Sequence, residues 1–280
     1  MSTYRVCFWI FVALAALEVV YGIPVFLPWA FLLVAVVSQY LSTRAPRRHT
    51  PPPAVEVAAP VTGRWLALNS PADKVPSHGT YQYGQSHAID IAAEPADGSR
   101  PAFGWWPLSR PARAFPAFGA PLLAVADGTV VSARDTQRDH RSRNSWPALP
   151  YLLFEGLFRD LVSARRVIGN QLVLDLGNGT YALYAHLRKG SLRVRAGDRV
   201  TAGQTVAECG NTGNSSEPHV HFQLMDHPDP AQAHGIPFTW TGVGVPANLE
   251  TFTPPASVPA GAGPARPETA PTGSASPGQE

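Results

Sequence analysis

From Val6 to Leu41 the only acidic or basic residue is Glu18. This stretch constrains the chain more than any other. It is too long for the apolar part of a secretory signal, and it shows no polar face of the kind that lets a helix lie between a soluble core and water. Gly22-Ile23-Pro24 interrupts it near the middle. Each half is about 17 residues, close to the shortest helix that crosses a bilayer. The expectation is a membrane anchor over residues 1–42, with two transmembrane helices at about residues 6–22 and 25–41 joined by a short turn. Its partner is the lipid bilayer, met through residues 6–41. One long, tilted or Pro-kinked span is the alternative. Arg5 precedes the stretch, and Arg44, Arg47 and Arg48 follow it. With two spans, the excess of arginine would hold both flanks in the cytoplasm. With one span, Arg5 stays inside and the rest of the chain is exported.

Residues 43–60, with Pro51-Pro52-Pro53 and His49, read as a basic, Pro-rich, extended linker. A folded domain is expected over residues 61–253, with Trp65-Leu66-Ala67-Leu68 as its first strand. Residues 254–280 are dominated by Pro, Ala, Gly, Ser and Glu, the composition of a disordered tail. Asp127-Gly128 and Asn178-Gly179 read as hairpin turns.

The chemistry concentrates in histidines. Glu217-Pro218-His219-Val220-His221-Phe222 is an extended, apolar-flanked run. Residues i and i+2 of a strand face the same way, so His219 and His221 present two imidazoles side by side. Imidazole is both a zinc ligand and a proton carrier near neutral pH. Tyr181-Ala182-Leu183-Tyr184-Ala185-His186-Leu187 is a second strand with alternating character, ending in a third histidine. Gly210-Asn211-Thr212-Gly213-Asn214-Ser215-Ser216 is a loop of residues that tolerate unusual backbone angles. Asp90 sits among Ala88, Ile89, Ile91 and Ala92. A carboxylate buried there without a partner is costly, and a metal is the natural partner.

Taken in order, Ala88 to Ala92, Ala120 to Val131, Gly169 to Leu187 and Val194 to Leu224 resemble the lysostaphin/LytM-type zinc metalloendopeptidases, here in a membrane-anchored, actinobacterial-like form. The resemblance covers roughly residues 78–226. It implies a mostly β fold, an antiparallel sheet forming an open, barrel-like sandwich with a groove, preceded here by the transmembrane hairpin. It implies Zn2+ as cofactor and peptide bonds of peptidoglycan cross-links as substrate, hydrolysed by a metal-activated water. Carried over by position, Asp90 and His221 would be metal ligands, and His186 and His219 catalytic residues. The family's first histidine ligand normally lies four residues before the aspartate, where this chain has Ser86. His78, in Ser77-His78-Gly79, is the preferred substitute. It lies an even number of residues from Asp90, and glycines between them can turn the chain back. His87 is the alternative, usable only if a bulge re-aims it, because an odd separation faces it away from Asp90.

Two insertions interrupt the β pattern. Residues 94–119 contain Trp105-Trp106, which wall the groove or, as preferred, pack on the core. Residues 135–168 carry six arginines around an apolar, helix-like Tyr151–Phe158. They read as a solvated excursion, with a lid or a membrane-surface contact as alternatives. Asn170 lines the groove or turns the chain. His140, His227 and His234 read as surface residues. A net charge of +2 gives no reason to expect nucleic acid as a partner. Only Cys7 and Cys209 occur, one of them in the apolar stretch, so a disulfide within the domain is excluded. The expected protein is a plasma-membrane-anchored zinc endopeptidase with an extracytoplasmic domain. The rivals are a catalytically silent wall-binding or hydrolase-activating module and a peptidase facing the cytoplasm.

Overall fold

Two apolar helices lead into a β domain. The computed structural model describes residues 3–21, 26–44 and 51–255. The turn expected at Gly22-Ile23-Pro24, the linker residues Arg47, Arg48 and His49, and residues 256–280 of the expected tail lie outside the described residues. Helix α1 (Thr3–Tyr21) and helix α2 (Phe26–Arg44) pack along one another, with Phe11 against Trp29 at 5.7 Å between ring centroids. Val19, Val20, Leu33 and Val36 are left uncovered. By length and composition α1 can cross a membrane, while the apolar part of α2, Pro28–Leu41, is shorter.

The strands are short, as the frequent turn residues require. They are β1 (Val55–Val57), β2 (Trp65–Leu68), β3 (Ile89–Ala93), β4 (Pro121–Leu123), β5 (Gly128–Arg134), β6 (Gln171–Asp175), β7 (Tyr181–Ala185), β8 (Arg199–Val200), β9 (Thr205–Glu208), β10 (Val220–Met225), β11 (Gly235–Ile236), β12 (Phe238–Trp240) and β13 (Thr251–Phe252). Between β5 and β6 the chain forms α3 (Ala148–Val162) and α4 (Ala164–Ile168). The main sheet is antiparallel in the order β13-β2-β3-β10-β7-β6-β5-β8, with β11 also on β10. Strands β4 and β9 form a second, two-stranded antiparallel sheet.

The central strands β3 and β10 are buried along their whole length. Each face is covered for a different reason. Ile89 and Ile91 on β3, and Val220, Phe222 and Leu224 on β10, enter the main core. There Phe222 packs against Tyr184 (5.5 Å), Phe238 (5.1 Å) and Trp240 (5.9 Å). The opposite face carries Asp90, His221 and Gln223, all buried, beside a smaller apolar cluster of Ile168, Val173, Leu183, Ala185, Met225 and Ala233. The sheet therefore has an apolar face and a face on which polar groups are sheltered together.

Three expectations are corrected by this architecture. The fold begins at β1, not at Val61. Val55 and Val57 alternate and pair with β12, and the Ala58 N–H donates to the Val125 carbonyl at 2.9 Å. The prolines stiffen only the residues before this point. The β1–β12 pair is parallel and forms a two-stranded sheet of its own, beside the antiparallel sheets that make up the rest of the domain. Asp127-Gly128 is not a hairpin turn: it joins β4 to β5, which lie in different sheets. Asn178-Gly179 does close the β6–β7 hairpin, both residues taking positive φ. Trp105 and Trp106 do not pack on the core, being 73% and 77% exposed.

Candidate functional site

The site is built by strand register. Asp90 and His221 are direct cross-strand partners on β3 and β10. His221 Nδ1 lies 2.9 Å from Asp90 Oδ1. The other carboxylate oxygen, Oδ2, lies 3.0 Å from Nε2 of His78, which the loop before β3 brings in. One ligand atom from each of His78, Asp90 and His221 falls within 4.8 Å of the others. The long separation between His78 and Asp90 is bridged by the turn at Gln82–His87, where Tyr83 and Gly84 have φ of 60° and 70°.

The far side of each ring is also held. His78 Nδ1 meets Ser77 Oγ at 3.0 Å, and His221 Nε2 meets Gln223 Oε1 at 3.0 Å. Asn69 Nδ2 donates to Asp90 Oδ2 at 2.9 Å. Such outer contacts fix ring orientation and tautomer.

Two further imidazoles complete the cluster. His219 directly precedes β10, and its Nε2 is 3.5 Å from Asp90 Oδ1. Its Nδ1 faces the Glu217 carbonyl at 2.7 Å and Ser215 Oγ at 3.0 Å. His186 follows β7 at φ 60°, a left-handed conformation that histidine enters more readily than most residues. Its Nδ1 faces the Thr212 carbonyl at 2.8 Å. The His186 ring lies 4.8 Å from that of His219 and 5.8 Å from that of His221, between centroids. The loop that supplies Thr212 needs its glycines. Gly213 has φ +70°, and a Cβ on Gly210 would overlap the Arg188 backbone.

Electrostatics follow from burial and crowding. Burial alone would raise the Asp90 pKa, but the charges of His78 and His219, with hydrogen bonds from His219 and His221, hold it well below the carboxylate range. Burial, then the charges of His219 and His221, pushes His186 well below the histidine value. Burial pulls His219 down as well, but the Asp90 charge and its hydrogen bond, with the Glu217 carbonyl, win and raise it.

Of the residues singled out in the sequence, His78, Asp90, His186, His219 and His221 come together. His87 does not join them. It is half-buried near Gly235 with Nδ1 on Ser86 Oγ at 3.1 Å, and burial lowers its pKa. His140 is no free surface residue: its Nε2 meets the Gly213 carbonyl at 3.0 Å and bridges the 135–168 segment to the glycine loop. His234 pairs with Asp226 at 3.0 Å. Asn170 turns out to be a brace, donating to the Gln137 and Leu187 carbonyls at 2.9 and 3.0 Å. Sequence reasoning missed Ser77, Asn69, Gln223 and Glu217. For Gln223 the signal was present, since it continues the His219, His221 alternation. For Glu217 it was not: its carboxylate is held by Arg100 and Asn144, one from each insertion.

Comparison with known proteins gives a consistent picture. Residues 156–233 match the family model "Peptidase family M23". The glycyl-glycine endopeptidase ALE-1 of Staphylococcus capitis is 45% identical over 108 residues, 38% of this chain and 22% of that protein. The peptidoglycan DD-endopeptidase ShyA of Vibrio cholerae is 37% identical over 65 residues, 23% of this chain and 15% of that protein. The chain thus spans under a quarter of the length of these curated relatives. Among solved structures, the catalytic domain of lysostaphin from Staphylococcus simulans aligns at 23% identity with a TM-score of 0.28, covering 48% of this chain and 85% of that one. The matched stretch holds His186, His219 and His221, while His78 and Asp90 reach the site from outside it. The chain carries a peptidase family M23 domain, homologous to the lysostaphin/LytM glycyl-glycine endopeptidases.

Proposed function

We propose that this domain is a zinc-dependent endopeptidase that hydrolyses peptide bonds in peptidoglycan cross-links. One observation carries the reading: two imidazoles and a carboxylate converge within 4.8 Å on a buried sheet face, with two more imidazoles beside them. His78, Asp90 and His221 are assigned as ligands, and His186 and His219 as catalytic residues. Two imidazoles with one carboxylate suit zinc, and the far nitrogen of each ligand ring already has an oxygen partner. When bound, zinc supplies an open position where the pKa of water falls toward neutrality.

The catalytic rings are pre-set by the backbone. A carbonyl accepts only from a protonated nitrogen, so His186 and His219 each carry their proton on Nδ1 and offer Nε2 to the site. Burial and neighbouring charge hold His186 neutral. His219 is the ring that changes charge. Its Nε2 accepts a proton from the attacking water, and the imidazolium then protonates the departing amine. His186 lies against it and restricts where the peptide and the water can sit.

The test is zinc content and hydrolysis of a panel of glycyl-glycine and DD-cross-linked muropeptides, using the full chain in detergent. Bound zinc and cleavage are expected in the wild type and in His87→Ala, and neither in His78→Ala. A wild type that takes up no zinc after reloading overturns the reading and leaves a wall-binding module.

We assign α1 and α2 to the plasma membrane and the domain to its wall side, on the ground of the peptidoglycan substrate proposed above and against the arginine excess on the flanks. Tyr4 and Arg5 at the start of α1 and Gln39 near the end of α2 all reach Asp160 of the domain. Both flanks of the helix pair therefore share the domain's side, which does not fit a single span with Arg5 on the opposite side. Tags before α1 and after residue 255 should both be cleaved by protease added outside cells. Protection of both would favour the cytoplasm-facing peptidase.

A further inference from the structure

Helix α3 is inside out for a protein in water. Its uncovered residues are Tyr151, Leu153, Phe154, Leu157, Phe158 and Val162, with Leu153 and Phe154 72% and 70% exposed. Its charged residues face the protein. Glu155 Oε2 accepts from Arg143 Nη2 at 3.0 Å and Oε1 from Arg159 Nη2 at 2.8 Å. Asp160 is buried and accepts from the Tyr4 hydroxyl at 2.7 Å, from Arg5 at 3.3 Å and from Gln39 at 3.2 Å. A water-facing helix has these two faces the other way round. A continuous apolar face of this kind marks a surface that something else covers.

We infer that α3 lies in the lipid surface, its apolar face immersed at the boundary of the bilayer that α1 and α2 enter. The inference rests on the membrane reading of those two helices. Continuity names the occupant. Asp160, in the last turn of α3, is bound by the start of α1 and the far part of α2, so α3 leaves from the end of that pair. On those same two helices Val6, Trp9 and Leu41 are exposed as well. At the other end of α3, Trp146 is half exposed and packs with Phe103 at 4.9 Å and Trp105 at 6.4 Å between centroids. Tryptophans gather at the level of lipid headgroups. Beyond Val162, Arg165 and Arg166 are exposed, placed to meet anionic headgroups. The consequence for the site is direct. Gly156 of α3 packs so closely on Asn214 that a Cβ would overlap that side chain, and Asn214 belongs to the loop that holds His186. The histidine cluster is thereby held near the membrane surface, about one helix diameter from the lipid.

The test uses the full chain in vesicles of phosphatidylethanolamine and phosphatidylglycerol. On a Cys7→Ser background, a nitrobenzoxadiazole probe is attached through Phe154→Cys, Leu33→Cys or Lys189→Cys, one at a time. The inference expects the probe at position 154 to be blue-shifted and quenched several-fold more by spin-labelled lipid than by aqueous iodide. At position 33 it expects lipid quenching, and at position 189 iodide quenching. Iodide quenching at 154 with lipid quenching at 33 overturns the inference and keeps the anchor. Iodide quenching at both overturns the anchor reading itself. Shielding of position 154 from both quenchers means that a protein covers α3, and also overturns it.

Discussion

Strand β10 and helix α3 both reverse the polarity that water selects, but they resolve it differently. β10 buries His221 and Gln223 and is led by buried His219, and each of these side chains finds a partner within the chain. The carboxylates of α3, Glu155 and Asp160, also find their partners inside the protein, while its apolar groups are left uncovered. Buried polar groups must be paired where they stand. Exposed apolar groups can wait for a surface outside the chain. A polar cluster closed on itself marks a site, and an apolar face left open marks a contact.

The sharpest break in this comparison is the removal of a ligand. His221→Ala or Asp90→Asn should abolish zinc binding and lower peptide hydrolysis by about 10⁴-fold, over 5 kcal/mol, because the activated water is lost with the metal. The fold should survive, since the opposite face of β10 holds the core. Metal analysis together with muropeptide assays checks this, and full activity in either variant would detach the cluster from catalysis.

The opposite face of the same strand gives the next effect. Phe222 is fully buried among Tyr184, Phe238 and Trp240. Phe222→Ala should destabilise the domain by about 3–5 kcal/mol through lost burial and a residual cavity. Chemical denaturation of the zinc-loaded chain in detergent reads this. A loss below 1 kcal/mol would mean that this aromatic cluster does not hold the central sheet. A smaller change separates ligand from brace. Gln223→Met keeps the volume and removes the oxygen that orients His221, together with the amide that donates to the Tyr83 carbonyl at 2.8 Å. Zinc affinity should fall about 10–100-fold, as competition with a chelator would show, and stability by about 1–3 kcal/mol through the unpaired carbonyl.

Much of this was legible in the residues. The alternation around His219 and His221 set two imidazoles on one face, and a third histidine, His186, stood at the end of a second strand. Asp90 stood out as a charge in an apolar run. What was not legible depended on distant pairing. His78 could be weighed against His87 only by parity, because the fold of the intervening turn rests on left-handed angles at Tyr83 and Gly84. Glu217 owes its place to Arg100 and Asn144, far away in sequence. The strand β1 was hidden by the prolines before it and by its parallel partner, almost the whole domain away. The polarity of α3 was invisible for a related reason. Its composition shows a mixed helix, and only the packing reveals that the charges point inward.

His140 gives the smallest effect and a test of the contact between the two regions. It comes from the segment that carries α3 and meets the carbonyl of Gly213 in the loop beside the histidine cluster. Burial lowers its pKa below the ordinary histidine value of 6.5, and the charges of Arg143 and Arg159 add to this, against hydrogen bonds to the carbonyls of Arg141 and Gly213. The folded state then binds fewer protons than the unfolded chain just below that value. Stability must therefore rise with pH through this range, and fall as pH drops below about 6.5. Other groups contribute their own slopes: His219, with a raised pKa, adds stability that is present at low pH and lost as pH rises. The comparison that isolates His140 is between wild type and His140→Gln, with thermal unfolding followed from roughly pH 7 to pH 5, the range in which histidine titrates. The variant should be less stable at the upper end, where the bond to Gly213 is missed, and should lose less on acidification. Parallel curves would mean that His140 takes up its proton alike in the folded and the unfolded chain, and that the α3 segment and the loop beside the histidine cluster are not linked through its protonation.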